Sequence, residues 1–221
     1  MKLHFHRELA ELNSEIARLG GLVEESIGKA LTSLRTGDKK LAKEVRRGDD
    51  LVDVLEVELE ERLLKILALY HPVARDLRFI VAVLKVNNEL EHIGDLSQSI
   101  AQKTKRISPN HVQNTPMELF RMGDIAQKMV GLALDSLLTQ DVEKAKQVIQ
   151  MDDEVDKLHS QHHELVARHI EDQSHEFNLP ELALLSVSRS LERIADMATS
   201  VAEDVFYLVE AKIVRHRSDT E

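Results

Sequence analysis

One segment of this chain occurs twice. Residues 88–95, with the sequence NELEHIGD, return as residues 189–196, RSLERIAD, so both copies share the frame Leu-Glu-basic-Ile-small-Asp. Upstream, Asp49 recurs as Asp152, an offset of 103 residues (152 − 49), whereas the two frames are 101 residues apart (189 − 88). A repeat of this length predicts two halves of similar fold. The change from 103 to 101 means that the second half is two residues shorter than the first between the upstream match and the frame.

The composition indicates a helical protein. The chain has 221 residues, of which 43% are hydrophobic and 31% charged, with only 8 Gly and 4 Pro to interrupt regular structure. Aromatic residues make up 3% and Trp is absent, so a core has to be built from Leu, Ile, Val and Ala, as in helical bundles. No run alternates with period two beside a turn pair, which argues against strands.

Apolar residues recur at steps of three and four and predict three long helices in each half. In the first half the helices are predicted from about Leu9 to Thr36, from Asp38 to about Tyr70 with a loosening at Gly48, and from about Ala74 to Arg106. In the second half they are predicted from about Met117 to Leu138, from Asp141 to about Glu171, and from Glu181 to about Arg215. A polar linker with two prolines separates the halves. We therefore expect an all-α fold of two tandem three-helix bundles, divided into residues 1–109 and 110–221.

Charge and cysteine content narrow the classes of function. The formal net charge is −10 and the basic residues form only local clusters, which disfavours nucleic-acid binding. Cysteine is absent, so disulfides and thiolate sites are excluded. The first residues lack the apolar run of a signal peptide, and no stretch approaches the roughly 20 apolar residues that span a bilayer. The expected location is the cytoplasm.

Paired carboxylates are the strongest functional signal. A carboxylate followed four residues later by Asp places two acidic side chains one turn apart on one helical face. The chain has 39 acidic residues, so some pairs of this kind arise by chance and their number carries no information. Their placement does, because each pair falls on a repeat-equivalent position of the predicted second or third helix. The four pairs are Asp49/Asp53, Glu91/Asp95, Asp152/Asp156 and Glu192/Asp196.

Two interpretations of these pairs stay open. They are either ordinary solvated faces or metal sites. Like charges one turn apart cost roughly 0.2–0.5 kcal/mol, and two pairs brought together from adjacent helices cost more unless a cation neutralises them. Clusters made only of oxygen ligands suit Mg, Ca, Mn or Fe. We predict one metal site in each half, formed by Asp49, Asp53, Glu91 and Asp95 in the first and by Asp152, Asp156, Glu192 and Asp196 in the second.

The acidic stripe of the predicted second helix changes between the copies. Glu56 and Glu60 continue it in the first half, whereas His159 and His163 occupy the equivalent positions in the second. Imidazole favours softer metals such as Fe or Zn, so the two sites would differ in metal choice or affinity if both histidines are ligands. The alternative is that the histidines are exposed polar side chains, and the sequence does not decide between the two.

The repeated frame, together with the segment HPVARDLR at residues 71–78, resembles the PhoU family of phosphate-transport regulators. The resemblance covers almost the whole chain, including both three-helix halves. It implies metal clusters bound through carboxylate-xxx-Asp pairs, which map onto the four pairs above, with Fe, Mn, Zn or Mg as candidate divalent or trivalent ions. The second copy departs from the pattern at Ser190, Arg193 and Ala195, and it lacks a counterpart of residues 72–78. Within this segment we expect Arg75 and Arg78 to face the surface.

The resemblance also implies a function. It indicates a cytoplasmic accessory of the phosphate ABC transporter that represses the phosphate-starvation response. It would act by contacting the transporter ATPase and a partner sensor histidine kinase, and would reach the membrane only through those partners. We also expect a homodimer, because that is the commonest oligomer of soluble proteins.

Motifs for catalysis are missing from the sequence. The glycines are scattered, so no phosphate-cradling loop is present, and there is no Gly-x-Ser-x-Gly elbow. Glu89 and His92 supply one ferritin-like Glu-x-x-His step, but the second copy has Ser190 and Arg193 instead. A non-enzymatic regulator is expected. The alternative is a metal-dependent enzyme, a hydrolase or an oxidase, that uses one acidic cluster to activate water.

Overall fold

Six helices make up the fold. The computed structural model describes residues 2–107, 115–171 and 179–211, apart from the side chains of Lys2, of residues 169–171 and of Leu179. In chain order the helices are α1 (Lys2–Thr36), α2 (Lys39–Tyr70), α3 (Ala74–Lys103), α4 (Met117–Thr139), α5 (Val142–Glu171) and α6 (Leu179–Glu210). No strand occurs among the described residues. The predicted all-α class, with two tandem three-helix bundles, is confirmed.

Most predicted helix ends agree with the structure, with three differences. The first helix begins at Lys2 rather than near Leu9, and its first turns are held by Phe5, whose ring centroid lies 5.3 Å from that of Tyr70. The second helix runs through Gly48 without a break. The third ends at Lys103 instead of Arg106, because the next amides bond three residues back and tighten the chain into a turn.

Two predictions lie outside the described residues. The proposed boundary between residues 109 and 110 falls in residues 108–114, and the predicted end of the last helix falls beyond residue 211.

The first turn between helices is repeated in the second half. Gly37 adopts a left-handed φ of 68°, and Asp38 then caps α2 by accepting from the amides of Lys40 and Leu41 at 2.8 and 3.1 Å. In the second half Gln140 takes the left-handed position with a φ of 55°. Asp141 caps α5 in the same way, so the two α-hairpins are built alike.

The two halves pack through two pairs of helices. α1, α2 and α3 contact one another, as do α4, α5 and α6, and the halves meet where α1 packs on α4 and α3 packs on α6. α2 and α5 are therefore the outer helices. The core consists mainly of Leu, Ile, Val and Ala side chains, as the composition predicts.

Glycines at repeat-equivalent positions let α1 and α4 approach closely. A Cβ on Gly20 would lie 2.5 Å from Cδ1 of Leu134, and a Cβ on Gly123 would lie 2.4 Å from Cδ2 of Leu31. The offset between the glycines (123 − 20) equals the offset between the leucines (134 − 31), at 103 residues. One contact is thus made twice with exchanged roles, which means that a pseudo-two-fold axis relates the halves.

Candidate functional site

The four carboxylate pairs lie where an outer helix packs on an interface helix. Asp49 and Asp53 are on α2 and face α3, which carries Glu91 and Asp95; we call these four residues the first cluster. The second cluster is built in the same way on α5 and α6 and consists of Asp152, Asp156, Glu192 and Asp196. Helical spacing places each pair one turn apart, and helix packing brings the pairs together.

Three carboxylates of the second cluster converge. Asp152, Asp156 and Asp196 each offer an oxygen within 4.8 Å of the other two. Burial raises the pKa of Asp152 to about 6, helped by the charges of Asp156 and Asp196. The pKa of Asp196 is also raised, first by the partial burial of its carboxyl group, although the residue as a whole is exposed, and then by Glu192. Glu192 is thus an electrostatic neighbour of the group without being one of its three converging members.

The carboxylates of the first cluster converge less closely than those of the second, but their charges also raise one another's pKa. Asp49 is only 4% exposed, and burial raises its pKa to about 6, followed by the charges of Asp53 and Asp95 and, more weakly, of Glu91. Burial and Asp95 likewise raise the pKa of Glu91. In the part of the chain that the structure describes, only the second cluster brings three potential ligand atoms within 4.8 Å of one another. In both halves, therefore, the carboxylates of the two facing helices are close enough to raise one another's pKa. Among the described residues, three of them converge within 4.8 Å only in the second half.

Two polar side chains that border the clusters were not predicted from the sequence. Gln98 on α3 donates from Nε2 to Asp49. Its repeat equivalent, 101 residues later, is Thr199, which partly offsets the rise in the pKa of Asp152. The same offset that relates the two frames would have identified both residues.

A second polar pair lies one turn further along each outer helix. Asn87 donates from Nδ2 to Oε1 of Glu56 at 3.0 Å. The equivalent pair in the second half is His159 and Ser188, with 3.0 Å between Nδ1 and Oγ. The exchange of glutamate for histidine on α5 is therefore accompanied by an exchange of amide for hydroxyl on the facing helix.

The two stripe histidines lie differently. His159 is half-buried and lies 3.0 Å from Oγ of Ser188 through Nδ1. It offsets a small part of the rise in the pKa of Asp196. His163 is exposed, and its ring centroid lies 6.5 Å from that of His159. Neither joins the three converging carboxylates. The neighbouring His162 is only 7% exposed, and burial lowers its pKa.

The residues of the second cluster fit a hard metal ion. Oδ1 of Asp152 and Oγ1 of Thr199 are both buried and have no hydrogen-bond partner among the described residues, although Thr199 lies near enough to lower the pKa of Asp152. An orphaned buried carboxylate oxygen beside two further carboxylates is a set of ligands that Mg²⁺, Mn²⁺ or iron would accept. The raised pKa values have the same physical origin, since uncompensated negative charge favours either a proton or a cation.

The segment at residues 71–78 makes contacts between the halves. Arg75 is exposed and donates to the side chain of Gln140 in the α4–α5 turn. Arg78, expected at the surface, is half-buried and donates from Nε to the backbone oxygen of Leu208 at 3.3 Å. The expectation of surface exposure was wrong for Arg78, because α6 packs against α3 and covers this end of the helix.

Comparisons with known proteins agree with the repeat. A family model described as the PhoU domain matches twice, over residues 16–104 and 119–205. The phosphate-specific transport system accessory protein PhoU homolog 1 of Thermotoga maritima is 34% identical over 211 residues, which cover 95% of this chain and 90% of that protein. The PhoU homolog of Aquifex aeolicus is 37% identical over 213 residues, which cover 96% of this chain and 95% of that protein.

Solved structures show the same fold. The crystal structure of PhoU from Pseudomonas aeruginosa superposes with a TM-score of 0.83 at 34% identity, covering 94% of this chain and all of that one. The phosphate transport system regulatory protein PhoU from Streptococcus pneumoniae gives a TM-score of 0.85 at 27% identity, with 95% and 99% covered. Both halves match the same family model, and the two relatives cover 95% and 96% of the chain. The chain belongs to the PhoU family.

Proposed function

We propose that this protein regulates phosphate transport as a negative regulator of phosphate uptake and of the phosphate-starvation response. In this proposal it is a non-enzymatic adaptor between the ATPase of the phosphate ABC transporter and a sensor histidine kinase. The observation that carries the proposal is the match of both halves to the PhoU domain, supported by relatives named as accessory proteins of the phosphate-specific transport system.

Metal ions bound at the two clusters would be structural parts of this adaptor. Asp152, Asp156 and Asp196 would hold an ion between α5 and α6, and the first cluster would hold another between α2 and α3. A bound cation supplies positive charge that offsets the repulsion between facing carboxylates, and so fixes how the outer helix packs on its neighbour. The ions proposed are Fe, Mn, Zn or Mg.

Location and assembly follow from the same proposal. In the parts of the chain that the structure describes, no helix has both the length and the apolarity to cross a membrane. We place the protein in the cytoplasm, at the membrane only through its transporter partner, and as a homodimer. Light scattering that gives the mass of a monomer at micromolar concentration would count against the dimer.

A gene deletion tests the regulatory role. Removing the gene should switch on a reporter of the phosphate-starvation genes in phosphate-rich medium, and a plasmid copy of the wild-type gene should restore repression. A copy carrying Asp95→Asn and Asp196→Asn should restore it only partly if the metal clusters matter. A reporter that stays repressed at high phosphate in the deletion strain would remove the proposal.

One observation keeps the enzymatic alternative in view. Asp156 and Asp196 are exposed, so water can reach the edge of the second cluster, and Asp152 beside them has a pKa near the range of a general base. A metal-dependent hydrolase would then be expected to cleave a generic phosphate ester when loaded with Mn²⁺. Turnover abolished by Asp196→Asn would favour the enzyme, and turnover unaffected by that change would mark a contaminant.

A further inference from the structure

The outer face of α2 carries apolar side chains in contact with solvent. Leu51, Val54, Val57 and Leu64 are between 42% and 53% exposed. Each step of three turns the next side chain by about 60° around the axis and the step of seven by about 20°, so the four residues form an oblique band that winds around the exposed side of the helix. We call these four residues the α2 stripe. It extends over 13 residue steps (64 − 51), or about 20 Å of helix.

The second half shows that this stripe is not a requirement of the fold. The residues at the equivalent positions of α5, 103 further on, are Glu154, Lys157, Ser160 and Ala167. The two outer helices pack in the same way in their own halves, yet among the described side chains of α5 only Leu165 is a large apolar residue exposed to solvent, at 44%, and it occupies the position equivalent to Arg62. If the stripe were needed for folding, apolar residues would be expected at the equivalent positions of both halves. We therefore infer that the stripe serves a function specific to the first half.

The charge along the middle of the stripe is acidic, and the exposed Arg47 and Lys65 lie beside its two ends. From Asp50 to Glu61 the chain contains six acidic residues and no Lys or Arg. Asp50, Glu58 and Glu61 are exposed among these and form no ion pair with a described residue. Arg62, which directly follows this stretch, is already engaged by Glu8, Glu11 and Glu15 on α1. The middle of the stripe, around Val54 and Val57, is therefore an apolar surface with an acidic border.

We propose that the α2 stripe is the docking surface for a basic amphipathic helix of another protein. Leu and Val side chains at helical spacing accept the apolar face of such a helix. The acidic border selects Lys and Arg on its flanks and disfavours an acidic helix. This inference rests on the proposed adaptor role, because it assigns the surface by which the adaptor binds one of its partners. The equivalent face of α5 would be left for a different contact.

Binding of a model peptide to the full-length protein tests the surface directly. The probe is a fluorescein-labelled helix of about 18 residues made of Leu and Lys in amphipathic order, titrated in the presence of chelator and followed by anisotropy. A scrambled peptide of the same composition and a Leu/Glu helix serve as controls. We expect one Leu/Lys peptide to bind per chain, with an affinity that falls as salt rises, and neither control peptide to bind comparably.

Variants in which α2 receives the equivalent residues of α5 test whether the peptide binds at the stripe. Val54→Lys with Val57→Ser gives α2 the residues that α5 carries, and should weaken binding by about tenfold or more while the helical content and Tm stay unchanged. Lys157→Ala with Ser160→Ala in α5 should change the affinity less than about twofold. Equal effects of the two double variants, or equal binding of the scrambled peptide, would overturn the proposal.

Two further outcomes are decisive. If the wild type sediments as a dimer that Val54→Lys with Val57→Ser dissociates, a second copy of the chain covers the stripe, and the basic helix is wrong. If the α2 variant abolishes peptide binding but the deletion strain shows no change in phosphate regulation, the surface stands and the proposed function fails. The two ideas can thus fail separately.

Discussion

A Cβ atom on Gly94 would lie 3.1 Å from Oδ1 of Asp49, the most buried carboxylate of the first cluster. The same atom would lie 3.3 Å from Cγ1 of Val52. The equivalent position in the second half is Ala195, which is fully buried. In the first half, then, the carboxylate lies against the backbone of α3, and a glycine on α3 leaves room for it.

Gly94→Val should destabilise the protein. The new side chain must displace Asp49 or Val52 inside a packed helix pair, at a cost of about 2–3 kcal/mol in the free energy of unfolding. Gly48→Val is the matched control, because nothing lies within 4 Å of a Cβ there and Val is slightly better than Gly in a helix. Urea unfolding in chelator measures both, and equal stabilities would show that Gly94 is not crowded.

The metal-free protein should become more stable when Asp49 is neutralised. The folded state raises the pKa of Asp49 from 3.8 to about 6, so it binds the proton more tightly than the unfolded chain does. Stability from this group is therefore lost as pH rises from about 4 to about 6, and stays lost above that. Asp49→Asn should add about 1–2 kcal/mol at pH 7, less than the full linkage value because solvent screens part of the repulsion.

The pH profile gives this prediction its control. The difference between wild type and Asp49→Asn should vanish below about pH 4, where the carboxyl is protonated in both states. Asp50→Asn, at the exposed neighbouring position, should leave the stability unchanged at every pH. A loss of stability on Asp49→Asn at pH 7 without metal would contradict the account of the first cluster.

The close approach of α1 and α4 should be sensitive to one methyl group. Gly123→Ala places a Cβ 2.4 Å from Cδ2 of the buried Leu31, and should cost about 1 kcal/mol despite the higher helix propensity of Ala. Gly21→Ala, next to the equivalent Gly20, meets nothing within 4 Å and should instead stabilise by about 0.5–1 kcal/mol. Thermal unfolding of the two variants in parallel decides, and shifts of the same sign would be unexpected.

Arg62 on α2 should contribute more to the free energy of unfolding than any exposed arginine of α1. It is half-buried and binds Glu8 at 2.9 Å, together with Glu11 and Glu15. Arg62→Met leaves these three carboxylates facing one another and should cost about 1–2 kcal/mol at low salt and less at high salt. Arg7→Gln removes only an exposed pair with Glu11 and should change stability by less than about 0.5 kcal/mol. A salt-independent loss for Arg62→Met would point to lost packing instead.

Helix ends and cluster residues could be predicted because their signals are local or repeated. Gly37 and Asp38 end one helix and begin the next through their own backbone preferences, which neighbours do not override. The acidic pairs stood out because the offsets of 103 and 101 returned them on equivalent helices. The offset of 103 also relates the interface glycines Gly20 and Gly123.

Contacts between the halves could not be predicted from periodicity. A periodic apolar face shows that a helix is packed, but not which helix covers it, so Arg78 was expected at the surface although α6 lies over it. The convergence of Asp152, Asp156 and Asp196 without Glu192 depends on side-chain length and rotamer, which spacing does not specify. The apolar α2 stripe is a property of exposure, and exposure appears only once the bundle is assembled.

Metal content tests the central claim most directly. Untagged protein purified without chelator, exposed in turn to Fe²⁺, Mn²⁺, Zn²⁺ and Mg²⁺ and then desalted, is analysed by elemental mass spectrometry as wild type, Asp95→Asn, Asp196→Asn and the double variant. We predict bound metal in the wild type, loss of the share held by one half in each single variant, and loss of both in the double variant. No metal in the wild type, or the same content in all four proteins, would contradict the assignment of the two clusters as metal sites.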